Sequence, residues 1–177
     1  LSTVTTSNTV DATSDVGAIV DNTAAEAANI TGSTLDLDAA TGIGSGASLG
    51  GAADIDINGT LLSAVNSTSG NININEVDSV ALDDLVNTGR PVILDAGAAI
   101  TDGNAADVAN ISAGTAEVRA VTGIGSGLAG DAGDIDTIVT GDFAAQTDSG
   151  NINVHNVGSF TIGAPGAGLG TIVGVEI

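Results

Sequence analysis

Short apolar-polar-apolar triplets punctuate this chain at intervals of roughly 17–20 residues. The first set is Leu35-Asp36-Leu37, Ile55-Asp56-Ile57 and Ile72-Asn73-Ile74. The second is Ala116-Glu117-Val118, Ile135-Asp136-Thr137 and Ile152-Asn153-Val154. A period of two marks a strand with one buried face. Between the triplets lie clusters of Gly, Asn, Asp and Ser, which supply turn conformations. Helical periodicity is missing: the Ala-rich pieces 23–29 and 104–110 each offer at most one helical turn, too short to be stable alone. Strands at this spacing without intervening helices cannot form a sheet through βαβ crossovers, but they can stack as coils ~4.8 Å apart. The pattern predicts an all-β chain folded as a right-handed parallel β-helix with about 20 residues per coil. A short-stranded β-sandwich would show turn signals every ~8–12 residues and an aromatic core, and this sequence shows neither.

The pattern is also duplicated. Thr41-Gly42-Ile43-Gly44-Ser45-Gly46 returns as Thr122-Gly123-Ile124-Gly125-Ser126-Gly127, an offset of 122 − 41 = 81, and Asn29-Ile30 returns as Asn110-Ile111. Ser69-Gly70-Asn71-Ile72-Asn73-Ile74 returns as Ser149-Gly150-Asn151-Ile152-Asn153-Val154, at 149 − 69 = 80. The slip of one falls in a Gly/Ala-rich stretch, as expected of a structural unit that tolerates change in a loop. We read residues 1–177 as a single solenoid, with 1–81 and 82–162 as repeat units and 163–177 as the start of another. About four coils are expected per unit and about nine in the chain, a rod on the order of 40 Å long. Leu35, Ile55 and Ile72 are expected to form one inward stack, and Leu37, Ile57 and Ile74 its neighbour. The second unit should repeat these with Ala116, Ile135 and Ile152 and with Val118, Thr137 and Val154. An outward ladder of Asp36, Asp56 and Asn73, then Glu117, Asp136 and Asn153, is expected between them.

Composition fits a slender core. The 177 residues include only two aromatics, Phe143 and Phe160, whereas compact enzymes and protein-binding surfaces draw on aromatic anchors. Two cations, Arg90 and Arg119, face 22 acids for a net charge of −20. That surface repels phosphate backbones and anionic lipid and attracts divalent cations. Adjacent ladder carboxylates cost about 0.7 kcal/mol per pair in water, against about 1.5–3 kcal/mol gained per buried Ile or Leu, so the stack outweighs its own charge. The absence of Cys removes disulfides, zinc-thiolate sites and thiol chemistry. No apolar run reaches the ~18 residues of a membrane span. The repeats begin and end mid-unit, as in a window of a longer chain.

Ile100-Thr101-Asp102-Gly103-Asn104, Val121 to Gly127, Ser149 to Val154 and Phe160-Thr161-Ile162-Gly163 resemble the shaft repeats of filamentous-haemagglutinin-like bacterial surface adhesins. The likeness covers residues 17–163. It implies a parallel β-helix stalk with an extracellular, elongated, non-enzymatic role, and it carries over no binding residues. The secretion domain of that family has no counterpart in this sequence.

Several local patterns invite specific chemistry. Asp54-Ile55-Asp56-Ile57-Asn58-Gly59 matches the opening of an EF-hand loop, but its twelfth position is Val65. Its second copy, Asp134-Ile135-Asp136-Thr137, drifts further from the pattern. The residues are therefore read as a solvated strand, with weak, delocalised Ca²⁺ binding along the acidic face in place of a defined metal site. Gly42-x-Gly44-x-x-Ala47 formally fits a dinucleotide fingerprint without the helix it needs, and is read as a coil corner. His155, whose counterpart is Asn75, is expected to point outward into solvent. Arg90 and Arg119 are expected to neutralise neighbouring Asp residues. Asp83-Asp84 lacks the aromatic groove that carboxylate-based sugar cleavage requires. Sequons occur at Asn29, Asn58, Asn66 and Asn110. No catalytic, cofactor or metal residues are assigned.

The expected function is that of a rigid anionic stalk segment of a cell-surface adhesin. An alternative is a filament subunit that polymerises end to end, its segment 171–177 pairing with 1–5 of another copy. A third reading is a polysaccharide- or cation-binding face. The partners expected are neighbouring repeats or other copies of the chain, with no nucleic acid and no membrane insertion.

Overall fold

The computed structural model describes residues 3–23, 26–44, 46, 53–104, 108–125, 133–163 and 175–176. Among these residues there is no helix, and every strand pairing is parallel. The chain is a parallel β-solenoid, as the period-two triplets predict.

Two ladders of stacked strands enclose one apolar core. In the first ladder, Ile72, Val92, Ala116 and Phe143 lie one above another, beside the row Ile55, Ile74, Leu94, Val118 and Ala145. In the second, Val10, Leu35, Leu62 and Leu82 form one row, and Leu37, Ala64, Leu85 and Ile111 the next. All but Val10 (8 % exposed) are essentially inaccessible to solvent. Ala, Val, Ile and Leu suffice because each inward side chain meets a similar one on the adjoining turn. The two phenylalanines meet edge to face at 5.5 Å and 82° late in the solenoid, where Ile162 is exposed.

The register corrects three expectations. One row of the first ladder runs Val4, Ile30, Ile57, Glu76, Ala96, Ala120 and Thr147. The average turn in this row takes about 24 residues where the triplets suggest 20, and among the described residues the row has seven levels where nine coils were expected of the whole chain. Turns are also unequal: the step from Ile55 to Ile74 is 74 − 55 = 19, and that from Ile43 to Ile72 is 72 − 43 = 29. The longer ones carry insertions, such as those between Asp21 and Asn29 and between Asp102 and Asn110. Finally, the triplets do not stack in the expected register: where two of them meet, they are offset by two residues. Leu35 sits on Leu62, Ile55 on Ile74, and Ile72 between Ile43 and Val92. In the second unit Ala116 lies between Val92 and Phe143, Ile135 on Val154, and Ile152 on Ile124. The neighbouring stack is likewise split: Leu37 sits on Ala64, Ile57 on Ile30, Val118 on Leu94 and Thr137 on Ile111.

The duplicated unit is consequently out of phase with the turn. Three turns carry Ile19 through Ile43 and Ile72 to Val92, a step of 92 − 19 = 73 against the repeat offset of 81. Ile100, the sequence counterpart of Ile19, lies beyond Val92 in a different row, that of Val80, Ile100, Ile124 and Ile152. Likewise Leu35 belongs to the second ladder and its counterpart Ala116 to the first. One repeat thus spans more than three turns but fewer than four, and its copies present equivalent residues on different sides of the solenoid.

The coil corners explain the duplicated glycines. Gly70 and Gly150 have φ of +85° and +84°, and a Cβ there would lie 2.2 Å from the Thr41 carbonyl oxygen and 2.3 Å from that of Thr122. The left-handed conformation is strained for other residues, and that approach leaves no room for a Cβ.

Candidate functional site

Each repeat builds the same buried clasp. In the first, Asp21 Oδ1 accepts from the Thr23 amide at 2.8 Å and from Asn29 Nδ2 at 2.8 Å. Asn29 in turn crosses to the next turn: its Oδ1 accepts from the Asp56 amide at 3.0 Å, and its own amide donates to the Asp56 carbonyl at 2.7 Å. In the second, Asp102 Oδ1 accepts from the Asn104 amide at 3.0 Å and from Asn110 Nδ2 at 2.8 Å. Asn110 Oδ1 accepts from the Asp136 amide at 2.9 Å. Asn29 and Asn110 are 1 % and 0 % exposed, so these two sequons are inner struts that a glycosyltransferase cannot reach in the folded chain. Asn66 is also buried; its Nδ2 donates to Asn87 Oδ1 at 2.9 Å, an Asn-on-Asn step away from the triplets where such a ladder was expected.

The clasps hold Asp56 and Asp136 in an unusual setting. Strand alternation turns both away from the core, and a solvated ladder was expected. Instead Asp54 and Asp56 are wholly buried, Asp136 is 3 % exposed, and Asn73 and Glu117 are buried too. The sequence alternation is right about direction. It is silent about cover, because a period of two does not show what closes over the outer face of a strand. The outward ladder does not form either: Asp36 pairs with Asp11 and Ser63, Asp56 with Asn75, Asn73 with Ile93, and Asp136 with His155.

Carboxylates converge at these positions. One oxygen each from Glu26, Asp54 and Asp56 lie within 4.8 Å of one another, and the same holds for one ligand atom each from Asp134, Asp136 and His155. The two groups are copies: Asp54 and Asp56 correspond to Asp134 and Asp136, and Asn75 to His155. Asn75 Nδ2 donates to Asp56 Oδ1 at 2.7 Å, and His155 Nδ1 lies 2.8 Å from Asp136 Oδ1. The position equivalent to Glu26 is Asp107, outside the described residues. Burial, reinforced by the charges of Glu26 and Asp21, pushes the Asp56 carboxyl above its ordinary range, against the Asn75 hydrogen bond. Two like charges ~4.8 Å apart repel by roughly 3–4 kcal/mol at an effective dielectric of ~20. A cation seated among these carboxylates would relieve that repulsion.

The remaining candidates are distributed elsewhere. His155 is exposed, as the alternation predicts, but it is engaged with Asp136. Arg119 forms a two-pronged ion pair with Asp95, the neutralising role expected of it. Arg90 departs from that expectation: its guanidinium donates to the backbone carbonyls of Thr68 and Thr88. Asp84 accepts from Ser63 Oγ beside a bulge between Leu62 and Ser63, while neighbouring Asp83 is exposed. Gly42 and Gly44 form a coil corner, where a Cβ on Gly44 would meet the Asn73 carbonyl oxygen at 2.6 Å; Ala47 of that motif lies outside the described residues. The segments 1–5 and 171–177 invoked for end-to-end pairing are described only at residues 3–5 and 175–176.

Comparison with protein-family models, with curated proteins and with solved structures yields no match, so the functional reading rests on the geometry above.

Proposed function

We propose that this chain is a stalk segment of an extracellular bacterial surface adhesin, of the filamentous-haemagglutinin-like kind that its repeats resemble. The observation that supports this reading is the continuous parallel ladder, in which each turn uses the previous one as its template. Such a solenoid extends by adding turns without changing its cross-section. Its work is mechanical and non-enzymatic: backbone hydrogen bonds run along the axis, an aliphatic core fills the interior, and the anionic surface keeps neighbouring rods apart. The test is a chain carrying two copies in tandem, measured by small-angle X-ray scattering. At about 24 residues and ~4.8 Å per turn, the second copy should lengthen the particle by about 35 Å at constant cross-section. Two beads joined by a tether would refute the stalk.

One feature favours the filament reading as a second proposal. Among the described residues, the strands Val4–Thr5 and Thr9–Ser14 pair on one side only, with Ile30–Ala39, and unpaired edges are templates for another strand. Sedimentation velocity over a hundredfold range of concentration tests it. Growing fibres support polymerisation, and a constant monomer refutes it.

A further inference from the structure

We propose that each repeat holds one divalent cation, bound by Glu26, Asp54 and Asp56 in the first copy and by Asp134, Asp136 and His155 in the second. The first observation is convergence: in each group three ligand atoms lie within 4.8 Å of one another. The second is independent of the acidic cluster as such. Asp56 (0 % exposed) and Asp136 (3 % exposed) each place their Oδ1 on a side-chain partner, Asn75 or His155, and leave a buried Oδ2 that no donor approaches. A buried carboxylate oxygen without a donor is costly, and here the same atom of the same residue is left so in both repeats. Neighbouring positions differ between the copies: Ile57 stands against Thr137. Yet the clasps Asp21–Asn29 and Asp102–Asn110 fix the backbone of Asp56 and Asp136 in the same way.

The donor sets differ in one respect that bears on selectivity. The first copy offers carboxylate oxygens alone, the ligands of a hard cation such as Ca²⁺. The second includes an imidazole, which suits Zn²⁺ and other borderline cations. Because the repeat is out of phase with the turn, the two sites face different sides of the solenoid. Each joins ligands from successive turns: Asp56 and Glu26 in the first, Asp136 and His155 in the second. A bound ion therefore ties adjoining turns together and opposes axial unwinding.

Isothermal titration of chelator-treated protein in 150 mM NaCl, with CaCl₂ and then ZnCl₂, tests the assignment. Saturable binding is expected, with Ca²⁺ at the first site and Zn²⁺ preferred at the second. Asp56→Asn should abolish the first and Asp136→Asn the second, each leaving the other intact. Should these buried variants fail to fold, Glu26→Gln and His155→Gln change exposed ligands. They should weaken Ca²⁺ at the first site and Zn²⁺ at the second, respectively, by at least tenfold. Ca²⁺ should also raise the melting temperature of the parent protein and not that of Glu26→Gln. Absence of saturable binding, or binding that survives both Glu26→Gln and His155→Gln unchanged, overturns the proposal; the latter marks diffuse attraction to the acidic surface.

Discussion

Glu76 is a carboxylate set in an apolar row, and it should make this acidic chain more stable in mild acid than at neutral pH. It stacks between Ile57 and Ala96 and is 1 % exposed. Oε2 accepts from the Gly59 amide at 3.0 Å and Oε1 from the Asp78 amide at 3.2 Å. These bonds favour the anion, but burial outweighs them and pushes the carboxyl from 4.5 up to about 7. Between those two values the folded chain holds a proton that the unfolded chain has released. Folding is then favoured by proton uptake, so stability is greatest below about pH 4.5, falls as pH rises toward about 7, and levels off above. A shift of that size corresponds to roughly 3 kcal/mol, or about 6–12 °C in melting temperature for a chain of this length. Asp38 and Asp56, also raised by burial, add to the slope in the same direction. Urea unfolding followed by far-UV circular dichroism at pH 5, 6, 7 and 8 measures it, since the sequence has no Trp or Tyr. Glu76→Gln keeps the shape and removes the titration, so its stability should fall by about 2.5 kcal/mol less than the parent's across that range. Parent stability that rises with pH, or an unchanged slope in Glu76→Gln, would refute the reasoning.

Three further outcomes follow from the packing. Ile72→Ala, between Ile43 and Val92, should cost about 2–5 kcal/mol in urea unfolding, and a change below about 1 kcal/mol would mean that this side chain is not inside. Gly70→Ala should prevent cooperative melting or lower it severely, because its Cβ meets the Thr41 carbonyl at 2.2 Å, whereas Gly89→Ala, with nothing within 4 Å, should pay only the left-handed backbone penalty of about 1–2 kcal/mol. Asn110→Ala removes the strut to the Asp136 amide and should cost about 1–3 kcal/mol, read as faster hydrogen exchange at Asp136 than at Asp56.

How far the sequence discloses this molecule depends on what is periodic. Ile55, Ile72 and Ile74 are inside because a period of two survives any turn length, so strand direction and core chemistry are legible. Register is not, because Ile74 follows Ile55 by a short turn while Ile72 follows Ile43 by a long one. A mean spacing cannot reveal which turns carry insertions. The acidic clusters were half visible. Asp54-x-Asp56 and Asp134-x-Asp136 stand out as a duplicated pattern, but their burial depends on backbone from neighbouring turns. Glu76 resembles a surface residue by composition alone. The available signal was the pairing of each Asp-x-Asp with an upstream Asn, Asn29 or Asn110, and with Asp21 or Asp102 before it. That triple recurs intact while the residues around it change.

The central claim is the unequal parallel turn of about 24 residues, and an engineered disulfide tests it most directly. The register places Ser112 beside Ile138 on adjoining turns, with Ile138 43 % exposed. Adjacent strands lie ~4.8 Å apart, within the range a disulfide spans, and the sequence has no cysteine to compete. Ser112→Cys combined with Ile138→Cys should close an intramolecular bond under mild oxidation in the folded state, detected as the linked peptide by mass spectrometry. A folded double variant that keeps two free thiols would contradict the register, and with it the solenoid as described.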